Sequence, residues 1–214
     1  MTPRRKILGL AMGALSAGLL RIAPARAEPI RLLILGDSIT AGFGLPPEDG
    51  FQAQLKAALA ARHRTVAIID GAATGDTAAN ARRRVPGLLA TRPGAAIVQL
   101  GGNDISHAIP PKELEEHLRV IIGYLQTRHI PVLLAGTVPR AELGADYAAA
   151  IKAVYARVGQ QPGVMLDPWF RVGIAAEPAI YLPDGIHPNA KGVRFIVARI
   201  LPMVERLLDQ AVTQ

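Results

Sequence analysis

The sequence predicts an α/β fold: a five-stranded parallel sheet with helices packed on both sides, in three α/β/α layers. Two observations carry this. Short aliphatic runs without polar–apolar alternation recur along the chain, as strands covered on both faces require. Between them lie longer segments whose apolar residues return every three or four positions, so strands and helices alternate. No internal repeat, low-complexity stretch or linker divides the chain.

The elements follow in order. Residues 30–35 form the first strand, which stops at Gly36 before Asp37, Ser38 and Thr40. A helix is expected over 51–62, a strand over 66–69 and a helix over 77–91. Residues 95–100 are the third strand. In the next helix, 111–128, Leu114, Leu118, Ile121, Ile122 and Leu125 share one face. Pro110-Pro111 opens that helix, and His129 with Pro131 closes it. Strand 131–135, helix 147–158 and a weaker strand at 164–166 follow. The last helix spans 189–208, and Pro202 is expected to kink or restart it.

Residues 1–27 stand apart from this domain, which occupies 28–214. Arg4, Arg5 and Lys6 precede an uncharged, mostly apolar stretch from Ile7 to Leu20, and Ala25-Arg26-Ala27 forms a small-x-small cleavage site. Fourteen residues fall short of the roughly 17–25 that a spanning helix needs. A signal peptide is therefore expected, with export to the periplasm or the medium and no stable membrane anchor once it is removed. Arg4-Arg5 is compatible with either general or twin-arginine export.

Removing that leader lowers the formal charge from +7 to +2, so the basic character belongs mostly to the leader. Arg82-Arg83-Arg84 lies in an expected helix and reads as a solvated face. Aromatic residues make up only 4% of the chain, too few for a base-stacking platform, and nucleic-acid binding is not expected. The chain has no cysteine, which excludes disulfides, thiolate nucleophiles, cysteine metal sites and lipid-modified cysteine. The 187 residues after the leader must fold on their core alone.

Open parallel sheets bind ligands beyond the carboxyl ends of their strands. Three segments follow strands here: Gly36-Asp37-Ser38, the stretch "DGAATGDTA" with Gly75, and "GGND" with Asn103. Late in the chain, "LPDGIHPNA" sets Asp184 three residues before His187. Acyl transfer by a serine needs a hydroxyl, a neutral imidazole, an orienting carboxylate and donors facing the developing oxyanion. Ser38, His187 and Asp184 supply the first three. The backbone N–H groups of Ser38 and Gly75 and the Asn103 amide supply the donors, and glycine at 75 removes a Cβ from the substrate's path. Ser38 alone also reads as a helix cap. His107, just after the GGND segment, is the rival base, but no acid is placed to orient it.

With GDSIT, ATGDT, GGND and DGIHP in this order, the sequence resembles the SGNH hydrolases, also called the GDSL family, across residues 30–208. "GDSITAGFG", "LGGNDI", "PVLLAG" and "PDGIHPNAKG" are most similar to its exported arylesterases and thioesterase I/lysophospholipase L1 enzymes. The resemblance implies a flavodoxin-like fold, hydrolysis of carboxylic esters and thioesters, and neither metal nor organic cofactor. Small-molecule ester, thioester or lipid substrates are the implied partners. "IIDGAATGDTAAN" departs from the family's usual Ser-Gly-Asp/Glu-Thr-Thr block while keeping Gly75, which implies an altered surround for the acyl chain. An α/β-hydrolase would carry Gly-x-Ser-x-Gly, but Thr40 occupies the final glycine's place. The same triad also suits an acyltransferase or deacetylase acting on a glycan or lipid hydroxyl. A non-catalytic acyl-binding module would be expected to have lost the serine or the histidine.

Overall fold

Residues 28–137, 143–171 and 178–212 are described in the computed structural model. The expected leader, residues 1–27, lies outside the described residues. Five strands form one sheet: β1 (Ile30–Gly36), β2 (Val66–Ala72), β3 (Ala95–Gln99), β4 (Val132–Ala135) and β5 (Val164–Asp167). All neighbouring pairs are parallel, in the order β2-β1-β3-β4-β5. This is the flavodoxin-like doubly wound order, and the chain reverses direction between β1 and β3.

The unalternating strand runs now have their cause. Leu32, Ile34, Ala95, Ile97 and Leu133 face one side, against α2 (Phe51–Ala61) and α7 (Ala190–Val212). Leu33, Leu35, Ala96, Val98 and Leu134 face the other, against α3 (Ala78–Leu89), α5 (Pro111–Gln126) and α6 (Ala145–Gly159). Successive side chains point to opposite faces, so a strand between two helical layers must be apolar at every position.

Several boundaries differ from the sequence expectation. Strand β2 continues through Asp70 and Gly71, because it pairs with β1 as far as Ala72. Two short helices, α1 (Ser38–Ala41) and α4 (Gly102–Ser106), occupy stretches that read as loops. Helix α7 does not restart at Pro202. It continues to Val212, held on both sides of the missing N–H by buried Ile200, Leu201, Val204 and Leu207. The Arg82-Arg83-Arg84 run is also not a uniform solvated face. Arg83 is exposed, whereas Arg82 faces His117 and Arg84 pairs with Asp76.

One feature of the register positions the site. Gly36 lies opposite Ala72 on one side and Gln99 on the other. Three strands therefore end level, and the segments carrying Ser38, Gly75 and Asn103 leave the same edge at the point where the chain reverses.

Candidate active site

Asp37 caps helix α1, its Oδ1 accepting from the Ile39 N–H at 3.0 Å. Ser38 is thus the first helical residue and its hydroxyl is not the cap. A side chain at position 36 would place its Cβ 2.0 Å from Thr40 Oγ1, so the tight turn onto α1 requires glycine there.

Ser38 Oγ lies 2.9 Å from His187 Nε2, and His187 Nδ1 lies 2.7 Å from Asp184 Oδ2. Asp184 Oδ1 accepts from the N–H groups of Ile186, at 2.8 Å, and His187, at 3.0 Å. Those backbone donors, His187 first, and the imidazole hold the Asp184 carboxyl down to about 2. An ionised carboxylate can only accept, so Nδ1 carries a proton, and in the neutral imidazole Nε2 is the nitrogen that accepts from the Ser38 hydroxyl.

The segment carrying this pair is fixed from several directions. Arg171 Nη1 donates to the Ile186 carbonyl at 2.8 Å, and the Leu182 N–H donates to the His187 carbonyl at 2.8 Å. Phe43, whose N–H donates to the Ser38 carbonyl at 3.0 Å, lays its ring 4.6 Å from the imidazole at 43°.

Gly75 stands across the reversal point. The Ala73 N–H donates to the Gly36 carbonyl at 3.0 Å, which ties this loop to the strand that carries Ser38. Gly75 has φ +84°, and among the described residues, its own chain neighbours aside, no atom lies within 4 Å of the place a Cβ would take. The positive φ demands glycine, and the space beside it is open to a ligand. Asn103 lies in the first turn of α4, and its Nδ2 donates to the Asp76 carbonyl at 2.9 Å. Among the described residues this bond joins Asn103 to the Gly75 loop, leaving its second amide hydrogen for another acceptor.

Sequence reasoning missed the residues that brace these loops. The Asp104 carboxylate, 1% exposed, accepts from the Ala78 N–H at 3.0 and 3.2 Å, and burial raises its pKa. Arg84 holds Asp76 and also donates to the Gly71 carbonyl at 2.9 Å. Gln99 Nε2 donates to Asp37 Oδ2 at 3.0 Å, and burial raises the Asp37 pKa against that bond and the Ile39 bond. Asp37 and Asp104 stand within the quoted motifs. Gln99, Arg84 and Arg171 carry no local signal, because their partners are set by register and loop packing.

The rival base, His107, is exposed at the end of α4, and the imidazole that meets Ser38 is that of His187. Among the described residues no group of three or more His, Asp or Glu side chains is arranged to hold a metal ion. No helix among them is long and apolar enough to cross a membrane.

Residues 34–195 match the GDSL-like lipase/acylhydrolase family. The esterase TesA of Pseudomonas aeruginosa is 31% identical over 83% of this chain and 89% of its own length. Thioesterase 1/protease 1/lysophospholipase L1 of Escherichia coli is 29% identical over 83% of this chain and 85% of its own. Among solved structures, AlinE4, an SGNH-hydrolase family esterase, is 33% identical with a TM-score of 0.72, covering 86% of this chain and 99% of that one. The family match takes in all four motif segments and most of the chain, so the chain belongs to the GDSL-like lipase/acylhydrolase family and is a hydrolase of ester bonds.

Proposed function

We propose that this chain is an exported serine esterase that cleaves acyl or aryl carboxylic esters through an acyl-enzyme on Ser38. Thioesters and lysophospholipids extend the substrate class, in line with the name of the similar Escherichia enzyme. The observation that carries the reading is the continuous hydrogen-bonded series from Ser38 Oγ through His187 to Asp184.

In this mechanism His187 Nε2 takes the Ser38 proton as Oγ forms its bond to the carbonyl carbon. The Asp184 carboxylate stabilises the imidazolium that results. The carbonyl oxygen gains its charge facing the N–H groups of Ser38 and Gly75 and the Asn103 amide. Nε2 then gives its proton to the leaving oxygen as the carbon–oxygen bond breaks. A water molecule repeats the sequence on the acyl-enzyme and restores Ser38. Ser38→Ala should remove nearly all turnover of a p-nitrophenyl ester, by a factor on the order of 10⁶. An organophosphonate should label the native protein once, at Ser38, as read by peptide mass spectrometry. An active Ser38→Ala protein, or labelling elsewhere, would refute the assignment. Export rests on the leader, residues 1–27, and predicts a mature N-terminus at Glu28 by Edman sequencing.

A further inference from the structure

The described residues expose few large apolar side chains, and two of them lie in the segments that carry Ser38 and His187. Phe43 is 45% exposed and Ile186 is 43% exposed. Phe43 lies against the His187 ring, and Ile186 precedes His187 in the chain. Neither backbone is loose. The Phe43 N–H is bonded to Ser38, the Ile186 N–H to Asp184 and the Ile186 carbonyl to Arg171. The fold therefore fixes both main chains, holds the exposed Phe43 ring against the imidazole and leaves the Ile186 side chain exposed one residue before it. Exposed apolar surface held in one place marks a contact with a ligand or partner.

The chemistry of the step says which part of a ligand meets this surface. In the tetrahedral intermediate the carbon carries the Ser38 oxygen, the oxyanion, the acyl substituent and the leaving oxygen. The oxyanion faces the Gly75 and Asn103 segments. His187 Nε2 must reach both the Ser38 oxygen and the leaving oxygen, because it moves a proton from one to the other. The group on the leaving oxygen is therefore held next to the imidazole, whereas nothing requires the acyl substituent to be there. Resting on the reading that Ser38 is acylated with His187 as its base, we propose that Phe43 and Ile186 form the leaving-group subsite. The enzyme then selects esters whose alcohol portion is apolar, aryl or bulky alkyl, and Phe43 is the residue that sets this preference.

The test separates the two ends of the substrate. Ethyl and cyclohexylmethyl acetate differ in the size of the alcohol and little in its acidity. Their kcat/KM ratio should favour the larger ester in the native enzyme. In Phe43→Ala that preference should fall about tenfold or more, the scale of a lost apolar contact in a specificity pocket. Phe43→Leu should keep part of it. A second series, p-nitrophenyl acetate, butyrate and octanoate, varies only the acyl group, and its relative kcat/KM values should be unchanged in both variants. The deacylation rate of a shared acetyl-enzyme should also be unchanged, because the leaving group has gone by then.

A Phe43→Ala protein that slows all esters and deacylation equally would make the ring a mere support for His187 and overturn the proposal. A change confined to the acyl series would overturn it too, by placing Phe43 on the acyl side. Absence of Ser38 labelling by phosphonate in the native enzyme would refute the proposed mechanism itself, a result that the ester ratios cannot mimic.

Discussion

Replacing Asn103 with Ala separates catalysis from support, because its amide carries two hydrogens and the observed bond uses one of them. One is donated to the Asp76 carbonyl at 2.9 Å. On the proposed mechanism the other faces the carbonyl oxygen of the substrate, which bears full charge only in the tetrahedral intermediate. Losing the first bond should cost about 1 kcal/mol, the usual net value of a neutral hydrogen bond. In a domain of this size that lowers Tm by about 2–4 °C. Losing the second should cost roughly 10²–10³ in kcat, or about 3–4 kcal/mol, as for other single oxyanion donors. The bond is weak to the neutral ester and strong to the oxyanion, so KM should hardly change.

Steady-state kinetics on a p-nitrophenyl ester and a thermal melt of the same preparation measure both quantities. The two losses differ in scale, so neither can pass for the other. A Tm drop of that size with kcat intact would show that Asn103 only anchors the Gly75 loop. It would leave the oxyanion to the backbone donors of Ser38 and Gly75.

His187→Ala should abolish turnover of a p-nitrophenyl ester while His107→Ala leaves most of it, and reversed activities in the two variants would exchange the bases. Asp104→Ala leaves the Ala78 N–H without its acceptor, which should cost about 1–3 kcal/mol in a urea titration. Its kcat loss should be smaller than that of Asn103→Ala, because Asp104 acts only through the loop. For Asp37, burial raises the folded pKa above the unfolded value. Its contribution to stability is therefore complete below the unfolded pKa and is lost as pH rises through the folded one. Asn caps a helix as well and carries no charge. The Tm of Asp37→Asn minus that of the native protein should therefore climb as pH rises from the acid range to neutrality, and a flat difference would show that burial does not dominate at Asp37.

The architecture was legible because both faces of the sheet are covered. That condition writes strands such as Leu32–Leu35 as continuous apolar runs, and the helices between them carry a three-to-four-residue period. Ser38, Gly75, Asn103, Asp184 and His187 were legible because each follows a strand or sits in a punctuated loop, where packing does not explain a polar residue. What failed were local inferences that neighbours override. Pro202 does not restart the last helix, because buried residues on both sides continue the packed face of α7. Arg84 looked like one of three solvated cations, yet its place on α3 brings it back over the loop that precedes its own helix. Gln99 gave no signal, since only the pairing of β1 with β3 sets its amide beside Asp37.

On the proposed mechanism, that Asp37–Gln99 contact bears on how Ser38 can act as the nucleophile beside a carboxylate. A negative charge next to the developing oxyanion would oppose catalysis if it competed for the same donors. The first turn of α1 divides them. Asp37 takes the Ile39 N–H through Oδ1 and the Gln99 amide through Oδ2, so both oxygens are directed into the protein. On the proposed mechanism the Ser38 N–H, at the start of its helix and without a partner inside it, is left for the substrate oxygen. The arrangement has two costs that the fold carries elsewhere. Asp37 is 2% exposed with its pKa raised by burial, and Gln99 Oε1 is buried with no partner among the described residues, because its amide presents nitrogen to Asp37. The level strand ends at Gly36, Ala72 and Gln99 set these groups within reach of one another, and the packed layers on both faces of the sheet supply the stability that offsets them.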